Sequence, residues 1–510
     1  MSNLDIQVGW GYHNATKHSY QSVRTNQHFL NWANQPLPFK IYRGLDLIPL
    51  PREFRETGVP ALRAIAQIVE RDHALPDLQT LSQLLYFSAG VTRQRSFPGG
   101  GEIYFRAAAC TGALYEIELY MACGHLPDLE AGLYHYTPAE FGLRRFRAGD
   151  FRRVLVEATA NEFSIAHAPV ILICTGTYWR NAWKYQARTY RHFGWDNGTI
   201  LANLLAISRA LELPAEVICG FVDADVNRLI DLDTDREVAF SLVSIGRVAD
   251  LPPAPPDISP LKLETVPLSR GEVDYPAMRA MHAASSLLSQ EDVARWGGNP
   301  FAMRPKMSAG ELIPLKPLGD AEIPKDSTEQ VVLRRGSTRQ FAREPISFAQ
   351  FSTILDRSTV GVSVDFLNPL GAQLNDLYLI VNSVEGLLPG SYFFDPGRRG
   401  LELLKQGDFR NEAGYLGLEQ ELPADASVAI FFLADLEAVF ERLGNRGYRA
   451  VQLEAGLIGG KLYLAAYALH LGASGLTFYD DDVVSFFSPH AEGKNAVFLV
   501  TVGKSTKRSR

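Results

Sequence analysis

The second half of this chain alternates short apolar runs with longer segments of mixed polarity, a pattern that predicts strands and helices together. Val428–Leu433 is continuously apolar, as expected of a strand buried on both faces. Ile346–Leu355 has the apolar spacing of an amphipathic helix. Gln452–Leu471 lacks proline and is rich in Leu, Ala and Tyr, which predicts a buried helix whose glycines permit close packing. The other predicted strands here are Asp376–Val381, Ser391–Phe394 and Val497–Val502.

The first half repeats this order, and from about residue 118 the halves align at a constant offset of 258. Its predicted elements are the strands Glu118–Ala122, Leu133–Tyr136, Val170–Cys174 and Val238–Ile245 and the helix Thr199–Leu213. The matched residues include Arg188 with Arg446, Tyr190 with Tyr448, Arg191 with Arg449, Gly198 with Gly456 and Asp223 with Asp481. We interpret the chain as an intrachain duplication of an α+β domain that normally works as a pair.

A stiff proline-rich segment, Leu251–Pro256, separates the halves. The predicted organisation is a first domain over 1–250, a Pro-rich linker with a helical stretch (Met278–Arg295) over 251–325, and a second domain over 326–510.

The first half is also predicted to carry an insertion before the repeat begins. Phe29 matches Phe341 at an offset of 312, which leaves about 54 extra residues, roughly Pro49–Arg106. This insertion, which contains Phe97–Gly101, is a candidate lid or pocket wall.

Composition narrows the class of protein. The chain has 510 residues, 46% of them apolar, and a net charge of −7, so a nucleic-acid or anionic-membrane partner is not expected. No apolar run approaches the roughly 20 residues of a membrane span, and no signal-type segment opens the chain. Cys110, Cys123, Cys174 and Cys219 form no CxxC motif and are interpreted as buried thiols, with a cytoplasmic location.

Two basic segments are candidates for binding a phosphate. Arg334–Phe341 reads RRGSTRQF and places guanidinium forks and a hydroxyl together, which suits a phosphate monoester. Gly503–Arg508 follows the last predicted strand and offers a second basic cluster. A solvated basic stretch is the alternative interpretation of each segment.

The chain resembles the FMN-dependent nitroreductase family over most of both halves. The resemblance lies in these two basic segments, in the glycine-containing helix Gln452–Leu471 and in Gly475–Asp480. The resemblance implies tandem nitroreductase-like domains that form an intrachain pseudodimer with FMN as cofactor. It also implies three groups of cofactor-binding residues in the second half. The phosphate and ribityl groups would be held by Arg335, Ser337 and Arg339, the flavin ring would contact Gly475, Leu476 and Thr477, and Lys504 or Lys507 would complete the phosphate site.

Gly11–Ser19 and Cys110–Tyr120 resemble the SagB-type branch of that family, which includes azoline oxidases. The branch carries a Lys-Tyr pair near the flavin, and Lys184-Tyr185 stands at the matching place as candidate general base and acid. The resemblance also places Thr111, Gly112 and Ala113 along the flavin. Gln420 loosely matches a glutamine at the flavin edge. The alternatives are a surface dipeptide on a helix for Lys184-Tyr185 and a helix-end polar residue for Gln420.

The two copies are predicted to have lost complementary parts. At the offset of 312, the counterparts of Arg335, Ser337 and Arg339 are Val23, Thr25 and Gln27. Conversely, Cys110–Tyr115 becomes residues 368–373, and Lys184-Tyr185 becomes Arg442-Leu443. One composite site would therefore remain, with the phosphate grip from the second half and the flavin face from the first. One FMN per chain is expected.

Other chemistry is not expected. The chain has no HExxH and no paired cysteine ligands, so no metal site is predicted. Gly459-Gly460-Lys461 lies within a predicted helix and lacks the first glycine of a phosphate loop. Asp480–Asp482 are interpreted as helix-capping carboxylates.

The sequence therefore predicts an FMN-dependent oxidoreductase that acts on a small-molecule or peptide-derived substrate. Dehydrogenation follows from the SagB-type resemblance, and nitro or quinone reduction follows from the wider family. The alternative is a non-catalytic flavin- or peptide-binding scaffold derived from the same fold. One chain suffices to build the site, and further homo-oligomer formation is left open.

Overall fold

The chain builds two seven-stranded antiparallel sheets around a central pair of long helices. The structure is a computed structural model that describes residues 2–96, 102–297, 310–367 and 372–506. The proposed lid tip Phe97–Gly101 and Lys507 lie outside the described residues, as do positions 368–371.

The first half of the described chain contains nine helices and nine strands. The helices are α1 (Gln7–Ala15), α2 (Tyr20–Thr25), α3 (Ala61–Ala64), α4 (Leu78–Ala89), α5 (Arg152–Ala158), α6 (Phe163–Ala166), α7 (Tyr178–Tyr185), α8 (Thr189–Ala210) and α9 (Asp223–Leu229). The strands are β1 (Leu47–Pro49), β2 (Val91–Ser96), β3 (Glu102–Arg106), β4 (Ile117–Cys123), β5 (Gly132–Thr137), β6 (Gly142–Ala148), β7 (Val170–Thr177), β8 (Ala215–Ile218) and β9 (Glu237–Ile245). Short 3-10 turns occupy Trp32–Asn34, Thr111–Ala113 and Gln186–Arg188.

Within the described residues, the second half repeats these helices and strands except for the β2–β3 hairpin. Its described helices are α10 (Pro276–Ala284), α11 (Gln290–Gly297), α12 (Thr328–Arg334), α13 (Phe348–Thr359), α14 (Arg410–Leu416), α15 (Glu421–Asp425), α16 (Leu436–Leu443), α17 (Arg446–Ala468) and α18 (Asp480–Phe487). Its described strands are β10 (Leu312–Pro314), β11 (Asn375–Val381), β12 (Gly390–Asp395), β13 (Gly400–Gln406), β14 (Val428–Ala434), β15 (Gly472–Leu476) and β16 (Asn495–Gly503). The sheet orders are equivalent, β1-β6-β5-β4-β7-β9-β8 and β10-β13-β12-β11-β14-β16-β15. The predicted tandem α+β organisation is therefore confirmed.

The predicted strands are confirmed, but three predictions of local structure were wrong. Helix α8 begins ten residues before Thr199, because buried polar residues break the apolar pattern there: Arg191 pairs with Asp480 of the other half, and Asp196 accepts hydrogen bonds from Thr111 of its own half. Met278–Arg295 forms two helices, α10 and α11, rather than one stretch. Gly475 and Leu476, expected in a loop, end strand β15.

The two central helices cross at glycines, as predicted. A Cβ at Gly198 would lie 2.4 Å from the backbone nitrogen of Leu457, and one at Gly456 would lie 2.5 Å from the carbonyl oxygen of Trp195. Because the backbones approach this closely, any larger side chain would force α8 and α17 apart. The pairing of the halves is thus built into their longest helices.

Buried ion pairs cross between the halves at the start of each central helix. Arg188 and Arg191 bind Asp480 at 3.0 and 2.7 Å, and Arg446 and Arg449 bind Asp223 at the mirror position. Burial alone would raise the pKa of Asp480, but its two arginines outweigh burial and lower that pKa to about 2.

The mirror partner of Asp223 is Asp480, so the predicted match with Asp481 was wrong. Strands β8 and β15 and helices α9 and α18 all begin 257 residues apart, one less than the offset used. Asp481 is instead exposed and pairs with Lys17 at 2.8 Å.

The proposed alignment of the opening segments was also wrong. Ala74 forms a bridge to Arg247 and Phe341 forms one to Ser505, so these two segments are equivalent at an offset of 267, not 312. Helices α4 and α13, each of twelve residues with a side-chain cap, follow in both halves. Most of Pro49–Arg106 is therefore the first half's own opening segment, and the extra structure there is the β2–β3 hairpin.

Helix α10, which the sequence prediction placed in the linker, mirrors α1. The carbonyl oxygen of His13 accepts a hydrogen bond from Arg191, and that of His282 accepts one from Arg449. The hydroxyls of Thr16 and Ser285 accept from the same two arginines. The repeated unit thus includes this N-terminal helix.

Two further expectations concern the whole chain. All four cysteines are free thiols; Cys123, Cys174 and Cys219 are buried as predicted, but Cys110 is only half-buried. Among the described residues, no helix is both long and apolar enough to cross a membrane.

Candidate functional site

Arg335 of the second half is buried against the first half. It follows α12, whose capping box at Ser327 starts the helix and whose end fixes this residue at the boundary. Its Nε donates to the carbonyl oxygen of Ala107 at 3.0 Å, and its Nη2 donates to that of Arg106 at 2.9 Å. Burial lowers the pKa of Arg335. The guanidinium is thus oriented at the junction of the halves with N–H groups left over for a ligand.

Ser337 and Gly475 both contact the hydroxyl of Tyr463, a residue that was not predicted to belong to the site. The hydroxyl of Tyr463 lies 3.3 Å from the Ser337 hydroxyl and accepts the backbone N–H of Gly475 at 2.5 Å. Tyr463 lies on α17, and its first-half counterpart at the offset of 258 is Leu205. A polar tyrosine in one copy where the other has leucine is the feature of the sequence that could have identified Tyr463 as a site residue.

The segment after β15 leaves a polar group without a partner. The Thr477 hydroxyl is buried, and no hydrogen-bond partner for it occurs within the described residues. Leu476 and Thr477 are themselves half-buried. A buried hydroxyl of this kind is normally paired, so it is available to hydrogen-bond a bound cofactor.

The segment after β16 lies beside the opening segment of the second half. The backbone N–H of Ala342 donates to the carbonyl oxygen of Lys504 at 2.9 Å, which places Lys504 beside the RRGSTRQF segment. Its ammonium pairs with Glu344 at 3.1 Å.

The first half presents the turn Thr111–Ala113 to this region. Gly112 and Ala113 both have positive φ, at 63° and 55°, and both are exposed. Thr111 is anchored below them, because its N–H and hydroxyl donate to the Asp196 carboxylate at 2.9 Å. The turn is therefore a fixed, open surface.

Lys184 and Tyr185 stand beside that turn at the end of α7. A Cβ at Gly112 would lie 2.9 Å from the Tyr185 hydroxyl oxygen, so the tyrosine packs directly on the turn. The Lys184 ammonium lies 5.2 Å from the centre of the Tyr185 ring. These two side chains belong to the same surface as Thr111–Ala113.

The positive charge of Arg339, in the second half, influences the pKa of both Lys184 and Tyr185 in the first half. Desolvation, followed by the positive charge of Arg339, lowers the pKa of Lys184. Burial and the nearby Asp196 raise the pKa of Tyr185, and Arg339 opposes that shift. The second-half opening segment and the first-half pair are therefore close together in the folded chain.

Gln420 occupies the N-cap of α15, as Glu162 does for α6 in the first half. Its amide donates to the carbonyl oxygen of Gly417 at 2.7 Å. This position favours the helix-end interpretation of Gln420.

The mirror-image position lacks the phosphate-binding groups. At the corrected offset of 267, Ile68, Glu70 and Asp72 replace Arg335, Ser337 and Arg339. Two exposed carboxylates there repel a phosphate, where neutral residues were expected. The predicted loss of the first copy's grip therefore rests on other residues than Val23, Thr25 and Gln27.

In the first half, the position equivalent to the candidate flavin site (the mirror position) is also occupied by a side chain of the protein. The Asp365 carboxylate accepts the backbone N–H groups of Cys219 and Gly220 at 2.9 and 2.7 Å, and these residues are the counterparts of Leu476 and Thr477. Trp296 packs on Gly220, where a Cβ would lie 3.1 Å from both the indole and the Asp365 carboxylate. The acidic side chain of Asp365 thus covers the backbone of Cys219 and Gly220 in the first half.

Asp365 is expected to make stability depend on pH. Burial raises its pKa to about 7, so the folded chain holds this proton more tightly than the unfolded chain does. Its stabilising contribution is complete below about pH 4 and is lost as the pH rises to about 7, by at most about 4 kcal/mol. Thermal unfolding of wild type and Asp365→Asn between pH 4 and 8 tests this. The wild type should lose stability relative to the variant as the pH rises, and a constant difference would contradict the assignment.

Comparisons with known proteins agree with this geometry. Residues 332–504 match the nitroreductase family, whose members generally bind FMN. A candidate nitroreductase of Methanocaldococcus jannaschii is 25% identical over 170 residues, which are 33% of this chain and 80% of that protein. The crystal structure of a candidate nitroreductase from Anabaena variabilis is 26% identical, with a TM-score of 0.78, and the match covers 98% of this chain and 99% of that one. One from Ralstonia eutropha is 24% identical, with a TM-score of 0.32, over 42% of this chain and 100% of that one. The chain thus has the tandem nitroreductase fold, and its residues 332–504 match the nitroreductase family.

Proposed function

We propose that this protein is an FMN-dependent oxidoreductase with one composite flavin site between its halves. The observation that carries the proposal is the burial of Arg335, from the basic segment of the second half, against the carbonyl oxygens of Arg106 and Ala107 in the first half. The charge of Arg339 from the same segment also influences the pKa of Lys184 and of Tyr185. The phosphate grip and the candidate proton-transfer groups belong to different copies, and only their pairing in one chain brings them together.

The residues around this junction fit FMN. Arg335 and Arg339 offer guanidinium forks for the phosphate, and Ser337 offers a hydroxyl beside them. The unpaired Thr477 hydroxyl supplies a polar partner, and the exposed Gly112 and Ala113 leave room for a flat ring. FMN bound there would supply the exchange of a hydride with a substrate.

The side-chain pair would manage protons. The lowered pKa of Lys184 increases the fraction of neutral amine, which is the form that accepts a proton from a substrate. The raised pKa of Tyr185 keeps its hydroxyl protonated, so this group donates a hydrogen bond or a proton. We therefore assign Lys184 as the base and Tyr185 as the acid in a SagB-type dehydrogenation.

Exposed aromatic residues beside the pair favour a peptide-derived substrate. Phe29 and Trp32 are 86% and 67% exposed, and Trp32 packs on Trp183, which directly precedes Lys184. The Trp183 indole donates to the carbonyl oxygen of Asn31 and so holds this segment in place. Such fixed apolar groups at the rim suit a substrate larger than a simple nitro compound.

One FMN per chain is the expected content of the purified protein. The mirror position carries Glu70, Asp72 and Asp365 in place of phosphate-binding and open surfaces, so a second flavin would meet three carboxylates. Denaturation followed by quantification of released flavin against protein measures this ratio. Two flavins per chain would contradict the composite site, and none after reconstitution with FMN would favour the scaffold alternative.

A further inference from the structure

A thiol and two carboxyl groups lie together beneath the Thr111–Ala113 turn. Cys110 Sγ is 3.2 Å from an Asp196 oxygen and 3.5 Å from a Glu116 oxygen. Ligand atoms of all three residues lie within 4.8 Å of one another. Glu116 and Asp196 are 0% and 4% exposed, so water does not solvate these acids.

The cluster has too few hydrogen-bond donors for three acidic groups. Asp196 receives the N–H and the hydroxyl of Thr111, and Cys110 Sγ receives the N–H of Tyr115 at 3.0 Å. Glu116 Oε1 is buried and has no partner among the described residues. An uncompensated buried carboxylate is costly, so the cluster requires either a bound cation or added protons.

The second half gives a direct contrast. Glu454, the counterpart of Asp196, accepts hydrogen bonds from the backbone of Leu374 and from the backbone and side-chain amide of Asn375. Leu374 stands at the position of Glu116. A single carboxyl with several donors anchors the loop there, and the second acid of the first half is therefore not needed for the fold.

We propose that Cys110, Glu116 and Asp196 bind one zinc ion that fixes the Thr111–Ala113 turn to helix α8. Zinc bonds of about 2.3 Å to sulfur and 2.0–2.2 Å to oxygen place tetrahedral S and O ligands about 3.6 Å apart, close to the observed 3.2 and 3.5 Å. A thiolate ligand favours zinc over magnesium or calcium. The Tyr115 N–H on sulfur and the Thr111 donors on Asp196 are the outer contacts that orient such ligands.

A fourth position is available for water. Cys110 and Asp196 line a cavity of about 10 Å³ together with Arg106, Ala108, Ala109 and Ile200. That is roughly the room for one water. The sequence prediction of no metal site missed this cluster because Asp196 is 86 residues from Cys110 and reaches it only through α8.

Metal content decides the proposal. Protein from zinc-supplemented culture, assayed by elemental mass spectrometry, should contain one zinc per chain, and Glu116→Gln and Cys110→Ala should contain at least about tenfold less. Glu454→Gln and Cys123→Ala remove an acid and a buried thiol outside the cluster and should keep the metal. Equal zinc in wild type and both cluster variants overturns the ligand assignment.

Cobalt provides a second readout that does not depend on the variants folding. Wild-type protein stripped with a chelator and titrated with Co²⁺ alone should develop a thiolate-to-cobalt charge-transfer band at one equivalent. Absence of zinc in the purified protein together with absence of this band overturns the proposal, and the three acids would then be held by shared protons. The flavin count is read from the same samples and does not enter this test, so loss of FMN with zinc retained bears on the flavin site alone.

Discussion

Arg335→Ala is expected to purify with less than about a tenth of the FMN that the wild type retains. A guanidinium hydrogen bond to a charged partner contributes roughly 1.5–3 kcal/mol, and Arg335 offers a fork buried at the junction of the halves. Its Nε and Nη2 are already fixed by the carbonyls of Ala107 and Arg106, so the remaining N–H groups are oriented in advance. Released flavin per chain and the Kd for added FMN measure the effect.

Two further variants separate the phosphate contact from general effects of charge. Arg343→Ala removes an exposed arginine two residues beyond that segment, which pairs with Asp425, and should retain FMN. Arg335→Lys keeps the charge but loses the fork, so its affinity should fall between the two alanine variants. Wild-type flavin content in Arg335→Ala would refute the assignment. Thermal unfolding of each variant shows whether loss of FMN reflects loss of the phosphate contact or loss of stability from the missing hydrogen bonds between the halves.

The repeat could be predicted because burial conserves its hydrophobic pattern. Val428–Leu433 and Val170–Cys174 are central strands of the two sheets, and each position there faces packed side chains. The helix glycines could also be predicted, since Gly198 and Gly456 are required by the contact between the two backbones. Constraints of this kind act on both copies in the same way, so they leave matching residues in the sequence.

The equivalence of the opening segments could not be predicted, because these segments are not under the same constraint in the two copies and no longer match in sequence. Backbone pairing places Ala74 and Phe341 alike, but the residues just before them carry opposite charges in the two copies. Ile68, Glu70 and Asp72 keep no trace of the basic motif, so chance similarity at Phe29 gave the wrong register. The one-residue slip near Asp480 has a similar origin, because the turn after the central helix differs in length while the ion pair does not.

Contacts within the candidate site were predictable only where the family resemblance reached. Lys184, Tyr185 and Arg339 came from matched motifs, and the folded chain places them within electrostatic reach of each other. Tyr463 and Asp365 belong to no motif. Helix α17 carries Tyr463 to Ser337 and Gly475, and the loop before β11 carries Asp365 to Cys219 and Gly220 at the mirror position. Both contacts are properties of the three-dimensional arrangement.

Lys184→Arg and Tyr185→Phe are expected to bind FMN normally but to dehydrogenate a thiazoline-containing peptide about 10² to 10⁴ times more slowly than the wild type. Arginine keeps the positive charge beside Arg339 but does not give up its proton, so it cannot serve as a base. Phenylalanine preserves the ring that packs on Gly112 and removes only the hydroxyl. Both variants therefore test proton transfer while leaving the shape of the site intact.

A second reaction distinguishes proton transfer from flavin positioning. Reoxidation of the dithionite-reduced protein by a quinone requires no proton to be taken from a substrate carbon, so both variants should react with the quinone at the wild-type rate. Tyr415→Phe, which removes an exposed hydroxyl that hydrogen-bonds Asp482, is the matched control and should leave both reactions unchanged. If the variants slow both reactions equally, Lys184 and Tyr185 orient the cofactor, because a base that acts on the substrate alone cannot affect a reaction from which that substrate is absent.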